Sequence, residues 1–431
     1  MTMLPERLKK AGYRTAMVGK SHLGARSAAN LPINRGFDRH FGFLKGGEDH
    51  LTQRSRDDGL SFVDLWRDHG PAHGENGTFS TYLYAREAVG IIKEHGAINK
   101  GEVQLGHAAS PLFMYLSWHA VHTPLEVPPG RPVQPVSDRN HARAHMNALV
   151  EIMDEGMGNV TAALRSSGMW PSTLLVFHAD NGGWTQSLDQ GGNNWPLRGG
   201  KVSSFEGGVR AVGWVNGGYL DVVNPALRGS AFTGLMHIAD WYATFCGLAG
   251  VAVSPEEGEV GVPPSDSINV WAALSTPNAA VSPRVEVPLA FCTPATECDE
   301  GAPGSYADAA LIVQHPHTGR LLKLVNGTQG YLGWWQGPLF PNASSLMPPH
   351  AHVATCEGGC LFDLTADPGE HDNLRHADPA AFETLARRLA AIGATVYQTD
   401  FTGGYDSCIN ATAAYARDGG FLAPRCVKGG A

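Results

Sequence analysis

The sequence contains no apolar run approaching the roughly 20 residues that a membrane-spanning helix needs, and no heptad or Gly-x-y repeat. A spanning helix, a coiled coil and a collagen-like rod are excluded. Charge is also scarce: 17% of the 431 residues are charged, and 41 acidic residues outnumber 32 basic ones for a formal −9. A standing basic surface for nucleic acid is therefore not expected. Cysteine is thin before residue 290, where Cys246 stands alone, whereas Cys292, Cys298, Cys356, Cys360, Cys408 and Cys426 crowd the end. That clustering suits disulfides stapling a loop-rich C-terminal region in an oxidising compartment, the alternative being buried free thiols. Cys356-Glu-Gly-Gly-Cys360 has a zinc-like spacing but no second pair to complete a site. Residues Met1 to Lys10 lack the apolar core of a signal peptide.

Other features are plentiful. The 53 Gly and 28 Pro imply many turns and long loops, while 43% hydrophobic residues supply a sizeable core for two or three domains. In a compartment near pH 5, charging the 19 His would turn the formal −9 into a positive balance of about ten and draw anionic ligands. Five Asn-x-Ser/Thr triplets, at Asn76, Asn159, Asn326, Asn342 and Asn410, are candidate glycosylation sites. With the cysteines they point to the secretory pathway, lysosomal or extracellular.

The local patterns follow α/β grammar. Leu4, Leu8 and Ala11 share one helix face up to Gly12, and Thr15–Gly19 is a short apolar strand. Residues 111–118 and 173–178 are nearly continuous apolar runs, each predicted as a strand buried within a parallel sheet. Ala148, Ile152 and Met157 to Val160 predict a helix over 141–167. Pro-rich stretches at Val262–Asp266 and Ser282–Arg284 separate this region from one where short strands alternate with loops, ending in a helix over Pro379–Ile392. The expected division is a catalytic α/β domain over 1–285 and a smaller antiparallel α+β domain, rich in Cys, over 286–431.

Three clusters fall at strand ends, where open α/β sheets bind ligands. They are Gly19-Lys20-Ser21-His22-Leu23-Gly24, Trp118-His119-Ala120-Val121-His122-Thr123-Pro124, and Asp180-Asn181-Gly182-Gly183 followed by Arg198-Gly199-Gly200-Lys201 and Glu206-Gly207-Gly208-Val209-Arg210. Asp180 and Asn181 offer hard oxygen ligands suited to Ca²⁺ or Mg²⁺. Lys20 and Lys201 offer point charges for a tetrahedral oxyanion such as sulfate or phosphate. His22 and His122 are candidate hydrogen-bond donors or general acid/base groups. Taken singly, such residues are more often solvated side chains, and Asp-Asn-Gly-Gly is a good turn in its own right.

The segment from Leu4-Pro5 through Gly12 to Lys20 and Gly24 resembles the second signature of the sulfatase family, and Arg35 to Gly42 the segment that follows it. Val121-His122-Thr123-Pro124, Asp180 to Gly183, and Asn193 to Lys201 with Glu206 to Arg210 are similar to the arylsulfatase B (N-acetylgalactosamine-4-sulfatase) branch. Leu361 to Glu370 with Asn373-Leu374 resembles the closing motif, so that the likeness runs in order from residue 4 to about 395. It implies an alkaline-phosphatase-like fold, with a large mixed sheet sandwiched by helices, and hydrolysis of sulfate esters. In such enzymes a Cys-derived formylglycine hydrate attacks sulfur while a divalent ion, Ca²⁺ or a relative such as Mg²⁺, polarises the sulfate oxygens. Carried over, Asp180 and Asn181 are metal ligands, and Lys20 and Lys201 bind sulfate. His122 contacts the sulfate or protonates the leaving alcohol, and His22 supports the formylglycine. The implied partner is a sulfated sugar, a glycosaminoglycan-like polysaccharide or an aryl sulfate.

The sequence departs from the family in one respect that matters. The nucleophile motif Cys-x-Pro-x-Arg and the Asp-Asp metal pair expected before Lys20 are not among the 431 residues. Cys292-Thr293-Pro294-Ala295-Thr296 carries Thr where Arg is required, so Cys292 reads as a structural cysteine. Ser21 also stands where an aromatic is usual. The expectation is a truncated form of an active sulfatase whose first strands and nucleophile are absent, with neighbouring strands deprived of ladder partners. Two alternatives are a catalytically dead relative that binds sulfated glycans, and a phosphatase or phosphodiesterase of the same superfamily.

Overall fold

The computed structural model describes residues 2–57, 59–134, 141–185, 190–253, 265–291, 308–315, 318–328, 333–338, 355–396, 417, 419–422 and 424. Helix α1 (Leu4–Lys10) begins with Pro5 in its first turn, where the missing N–H is no loss, and ends before Gly12 at φ +81°. Strand β1 (Arg14–Gly19) then runs between β2 (Arg39–Gly42) and β7 (Leu112–Ser117), parallel to both. A hairpin of β3 (Arg54–Asp57) and β4 (Leu60–Val63) stands apart, and β5 (Trp66–Arg67) and β6 (Gly70–Pro71) extend the main sheet in the order β6-β5-β2-β1-β7. The antiparallel β2–β5 and β5–β6 pairings make the sheet mixed.

Helices α2 (Ser80–Gln104) and α3 (His141–Ser166) pack together and cover one face, with Leu83, Tyr84, Ala88 and Ile92 of α2 buried. The other face is covered by α1 and α6 (Asp240–Leu248), with the ring of Phe245 lying 6.1 Å from that of Phe113. Strands β8 (Leu175–His178) and β9 (Gly213–Asn216) form an antiparallel pair of their own, followed in the chain by α5 (Tyr219–Val223). Between β8 and β9 lies the single-turn helix α4 (Glu206–Val209), and α7 (Trp271–Leu274) follows α6.

From Glu286 onward the chain builds an antiparallel sheet, β10 (Glu286–Phe291), β11 (Asp308–Gln314), β12 (Leu321–Thr328) and β13 (Thr355–Asp363), in sequence order. Period-two alternation splits β12 between two cores. Leu322 and Leu324 face Leu385 and Leu389 of α8 (Pro379–Gly393), whose N-cap Asp378 accepts a hydrogen bond from Ala381 N–H. Val325 faces the opposite side, where Phe205 from the segment before α4 is buried with Phe362, Val287 and Ile312. Within β13, Gly358 (φ +76°) and Gly359 (φ +94°) break the extended path and bring Cys356 and Cys360 to a Cα separation of 5.2 Å as a disulfide. Four residues of straight strand would span about 13 Å. Cys292, Cys298, Cys408 and Cys426 lie outside the described residues, as do Asn342 and Asn410. Asn76, Asn159 and Asn326 are exposed. No helix among the described residues is long and apolar enough to cross a membrane.

Two of the expected elements differ from their sequence reading. Residues 112–117 and 175–178 do form strands, but neither is buried. Strand β7 is half-exposed, with Tyr115 at 44%, because β1 is its one strand partner among the described residues. Strand β8 joins antiparallel β9 instead of a parallel sheet and is half-exposed along its length. Apolar composition alone does not bury a strand; a ladder partner on each side does. The core and the open edge should therefore respond differently to substitution. Leu83→Ala, at 0% exposure in α2, is expected to lower unfolding free energy by about 2–5 kcal/mol in urea titrations, and Tyr115→Ser by under about 1 kcal/mol. Equal losses would show that β7 is covered.

Candidate functional site

The parallel register Gly19↔Ser117 delivers the ends of β1 and β7 to the same edge of the sheet. Gly19 is required there. At φ +97°, a Cβ would stand 1.9 Å from the Ser117 carbonyl oxygen, which instead accepts a hydrogen bond from Lys20 N–H at 2.9 Å. Ser21 N–H donates to the Phe43 carbonyl at 2.9 Å, while its buried hydroxyl finds no partner among the described residues. His22 sits in the left-handed region at φ +54° and lays its ring on Gly46, where a Cβ would come within 2.5 Å of Nε2. Gly47 plays the same part beneath His122, with a Cβ position 3.3 Å from its ring. Gly46-Gly47 is thus a floor that admits two imidazoles because it has no side chains.

His122 Nδ1 lies 2.8 Å from the Thr123 carbonyl, which fits a proton on Nδ1 and leaves Nε2 as acceptor for the Lys201 ammonium 3.5 Å away. Behind it, His50 contacts the His122 carbonyl through Nε2 at 3.2 Å and Ser80 Oγ through Nδ1 at 2.8 Å. His119 stacks on His50 at 3.9 Å between ring centroids and on His122 at 5.8 Å. Burial holds His50 down to about 4 and keeps His119 well below the usual imidazole range, so both are neutral supports.

Lys201 comes from the loop ahead of α4. Its N–H donates to the Gly183 carbonyl at 3.0 Å, and Gly182 N–H donates to Gly208 at 2.9 Å, so the turn after β8 and this loop are stitched together. Its ammonium also lies 5.5 Å from the centre of the Trp184 ring. Asp180 is exposed at the rim, and the Asn181 amide donates to the Gly182 carbonyl at 2.9 Å.

The charges bear on one another in a consistent way. Burial lowers the Lys20 pKa, with Lys201 adding to the effect and Asp180 opposing it. Burial is also the first cause lowering His22 and His122, and both lysines depress each imidazole further. With both rings on the Gly46-Gly47 floor and Lys201 against His122, Lys20, Lys201, His22 and His122 share one basin in which Asp180 is the coupled negative charge and the imidazoles are neutral at pH 7. An anion placed there would meet two ammonium groups and two rings ready to take protons.

The fit to a divalent ion is poorer. Asp180 and Asn181 supply two side-chain oxygen donors against the six to eight that Ca²⁺ takes, and the described residues hold no group of three His, Cys, Asp or Glu able to bind a metal. These residues alone do not make a resident cation site. Sequence spacing pointed to Lys20, His22, His122, Asp180, Asn181 and Lys201. It overlooked Gly46-Gly47 and His50, whose only signal was a Gly-Gly-Glu-Asp-His run in a loop.

The family profile described as Sulfatase matches residues 1–251. This chain belongs to the sulfatase family. Mouse (Mus musculus) arylsulfatase J is 33% identical over 410 residues, covering 91% of this chain and 62% of that protein. Dog (Canis lupus familiaris) N-acetylgalactosamine-6-sulfatase is 32% identical over 275 residues, covering 62% of this chain and 46% of that protein. The chain thus spans about half to three fifths of the length of these relatives. Among solved structures, Ps i-CgsB in complex with k-i-k-neocarrahexaose superposes at TM-score 0.64 with 22% identity, covering 97% of this chain and 79% of that one. The mixed sheet between helices, with its C-terminal antiparallel sheet, is the alkaline-phosphatase-like fold of such sulfatases.

The basin has a proton-linked signature. In the anion-free chain, the imidazoles of His22 and His122 should titrate below 6.5 by NMR, and saturating sulfate should raise both midpoints. Linkage then makes sulfate bind more tightly as pH falls through those midpoints, since the bound state holds more protons. Anion-free midpoints at or above 6.5 would contradict the arrangement.

Proposed function

We propose that this basin is the sulfate subsite of a sulfuric ester hydrolase acting on sulfated sugars, with aryl sulfates as surrogate substrates. The observation that carries the reading is the convergence of Lys20 and Lys201 on His122, with the Lys201 ammonium 3.5 Å from His122 Nε2. In this reading the two ammonium groups hold sulfate oxygens and neutralise charge that grows as the ester bond breaks. An incoming ester competes for the Lys201 ammonium and frees His122 Nε2, which takes up a proton from solvent as the anion raises the imidazole pKa and passes that proton to the leaving alcohol oxygen. His22 rests on Gly46 beside the Gly47 that lies beneath His122. The carbohydrate preference is supported by the name of one relative, N-acetylgalactosamine-6-sulfatase, and fits the k-i-k-neocarrahexaose in the complex of a fold neighbour. The narrower arylsulfatase B likeness rests on the motifs in the sequence. Exposed sequons and the Cys356–Cys360 disulfide support a secretory, lysosomal or extracellular setting.

Hydrolysis also needs a nucleophile. The 431 residues carry no Cys-x-Pro-x-Arg, and Cys292 lacks the Arg partner and lies outside the described residues. Asp180 and Asn181 would be two ligands of a larger cation shell that the described residues do not complete. We therefore expect the 431-residue chain to bind sulfate and sulfated glycans without turning them over. Purified chain should release no product from 4-nitrocatechol sulfate, and turnover would show that a nucleophile has been missed. Inorganic sulfate should bind at low ionic strength in calorimetry, and Lys201→Ala or Lys20→Ala should weaken it by roughly 10- to 100-fold, as loss of a charged hydrogen bond implies. Unchanged affinity in both variants would place the anion elsewhere. Added Ca²⁺ alone should bind no tighter than the millimolar range expected of a site so short of ligands.

A further inference from the structure

Among the described residues, Lys323 is the one lysine with a fully buried side chain, at 0% exposure on β12. Its ammonium donates to Glu206 Oε1 at 2.9 Å. It also stands 2.9 Å from Glu370 Oε1, a second ion pair. Glu206 is 4% and Glu370 0% exposed, and the other oxygen of Glu370 accepts the Glu206 backbone N–H at 2.7 Å. Three ionisable groups are thus withdrawn from water where the C-terminal sheet meets α4, and burial is the first cause raising the Glu370 pKa. Stability alone is a weak reason for such an arrangement, because a packed apolar trio of the same size is often as stable.

The trio's location supplies a better reason. Helix α4 directly follows the loop that carries Lys201; Lys201 N–H is held by the Gly183 carbonyl and the Gly199 carbonyl by the Asn194 amide, while the ties that flank the loop run to the same part of the molecule as the trio. The Arg198 guanidinium is sandwiched 4.0 Å from the Phe205 ring and 4.5 Å from the Trp335 ring, and it donates to the carbonyls of Gly333 and Glu370 at 3.0 and 3.3 Å. Gly199 N–H donates to the Trp334 carbonyl at 3.0 Å, and Gly207 N–H closes the loop onto the Arg198 carbonyl at 2.7 Å. The motifs around Glu206 and Glu370, which the basin itself does not use, meet at Lys323.

We propose that the Lys323–Glu206–Glu370 trio is a positioning device for Lys201: it pins α4 to the C-terminal sheet and so fixes the 199–205 loop in the sulfate basin. The C-terminal sheet then shapes anion recognition without touching the anion. This rests on the sulfate-subsite reading for its ligand but not for its geometry.

The test uses the full chain. A neutral triple variant, Lys323→Met with Glu206→Gln and Glu370→Gln, removes the charges without leaving one unpaired. It is expected to fold, with a melting temperature within a few degrees of the parent, yet to bind inorganic sulfate at least about tenfold more weakly. In reductively ¹³C-methylated protein the Lys201 dimethylamine resonance, assigned by its loss in Lys201→Ala, should shift. A folded triple variant with parental sulfate affinity and an unmoved Lys201 resonance would overturn the proposal. If the parent chain binds no sulfate, the subsite reading fails and the Lys201 resonance alone decides the positioning claim. Should the triple variant not fold, Glu370→Gln keeps an acceptor for the Glu206 N–H. It should weaken sulfate at least about threefold and move the same resonance, and failure to do either would be equally contrary.

Discussion

The parallel ladder between β1 and β7 is the constraint from which the site follows. Six successive registered pairs, from Arg14↔Leu112 to Gly19↔Ser117, bring two chain segments about a hundred residues apart to one sheet edge. Parallel strands need not be joined directly, and here α2 makes the crossover between β2 and β7. Once the ladder is set, Lys20 and His122 must emerge side by side. The close approach at that edge admits no side chain on Gly19 or Gly42, each of whose Cβ positions would lie 1.9 Å from a carbonyl oxygen. The ladder fixes the backbone, the glycines fix the crossing, and the cations follow.

The other half of the site is held from a distance. Lys201 belongs to neither β1 nor β7, and its loop is clamped by Arg198, Phe205 and Glu206 against β12, β13 and the Glu370 turn. Phe205 is wholly buried in the C-terminal core although it precedes that core by about eighty residues. The basin is therefore a seam: one wall from the mixed sheet, one from a loop gripped by the antiparallel sheet. Repulsion among Lys20, Lys201 and two imidazoles opposes folding in the absence of an anion, and the neutral state of the rings relieves part of it.

Much of this was legible in the sequence, because the motifs obey local rules. Strand then Gly then Lys, and apolar run then His, mark ligand-binding strand ends whatever the family. The helices over 141–166 and 379–393 fell within a residue of their periodicity. What the sequence could not show was neighbourhood. The runs at 112–117 and 175–178 are apolar enough for buried strands, yet Tyr115 is 44% exposed because burial depends on partners that composition does not name. His50 and Gly46-Gly47 were invisible for the same reason, since their role lies in the rings that rest on them. Nothing in the sequence marks Lys323; the two glutamates from remote segments make its burial tolerable.

The central claim is that strand ends and a clamped loop assemble one oxyanion subsite from Lys20, His22, His122 and Lys201. Anomalous diffraction from crystals of the chain soaked in selenate, a sulfate isostere, addresses it directly. The account predicts one selenium peak within hydrogen-bonding distance of the Lys20 and Lys201 ammonium groups and His122 Nε2. No peak in that basin, with selenate instead ordered elsewhere, would contradict it.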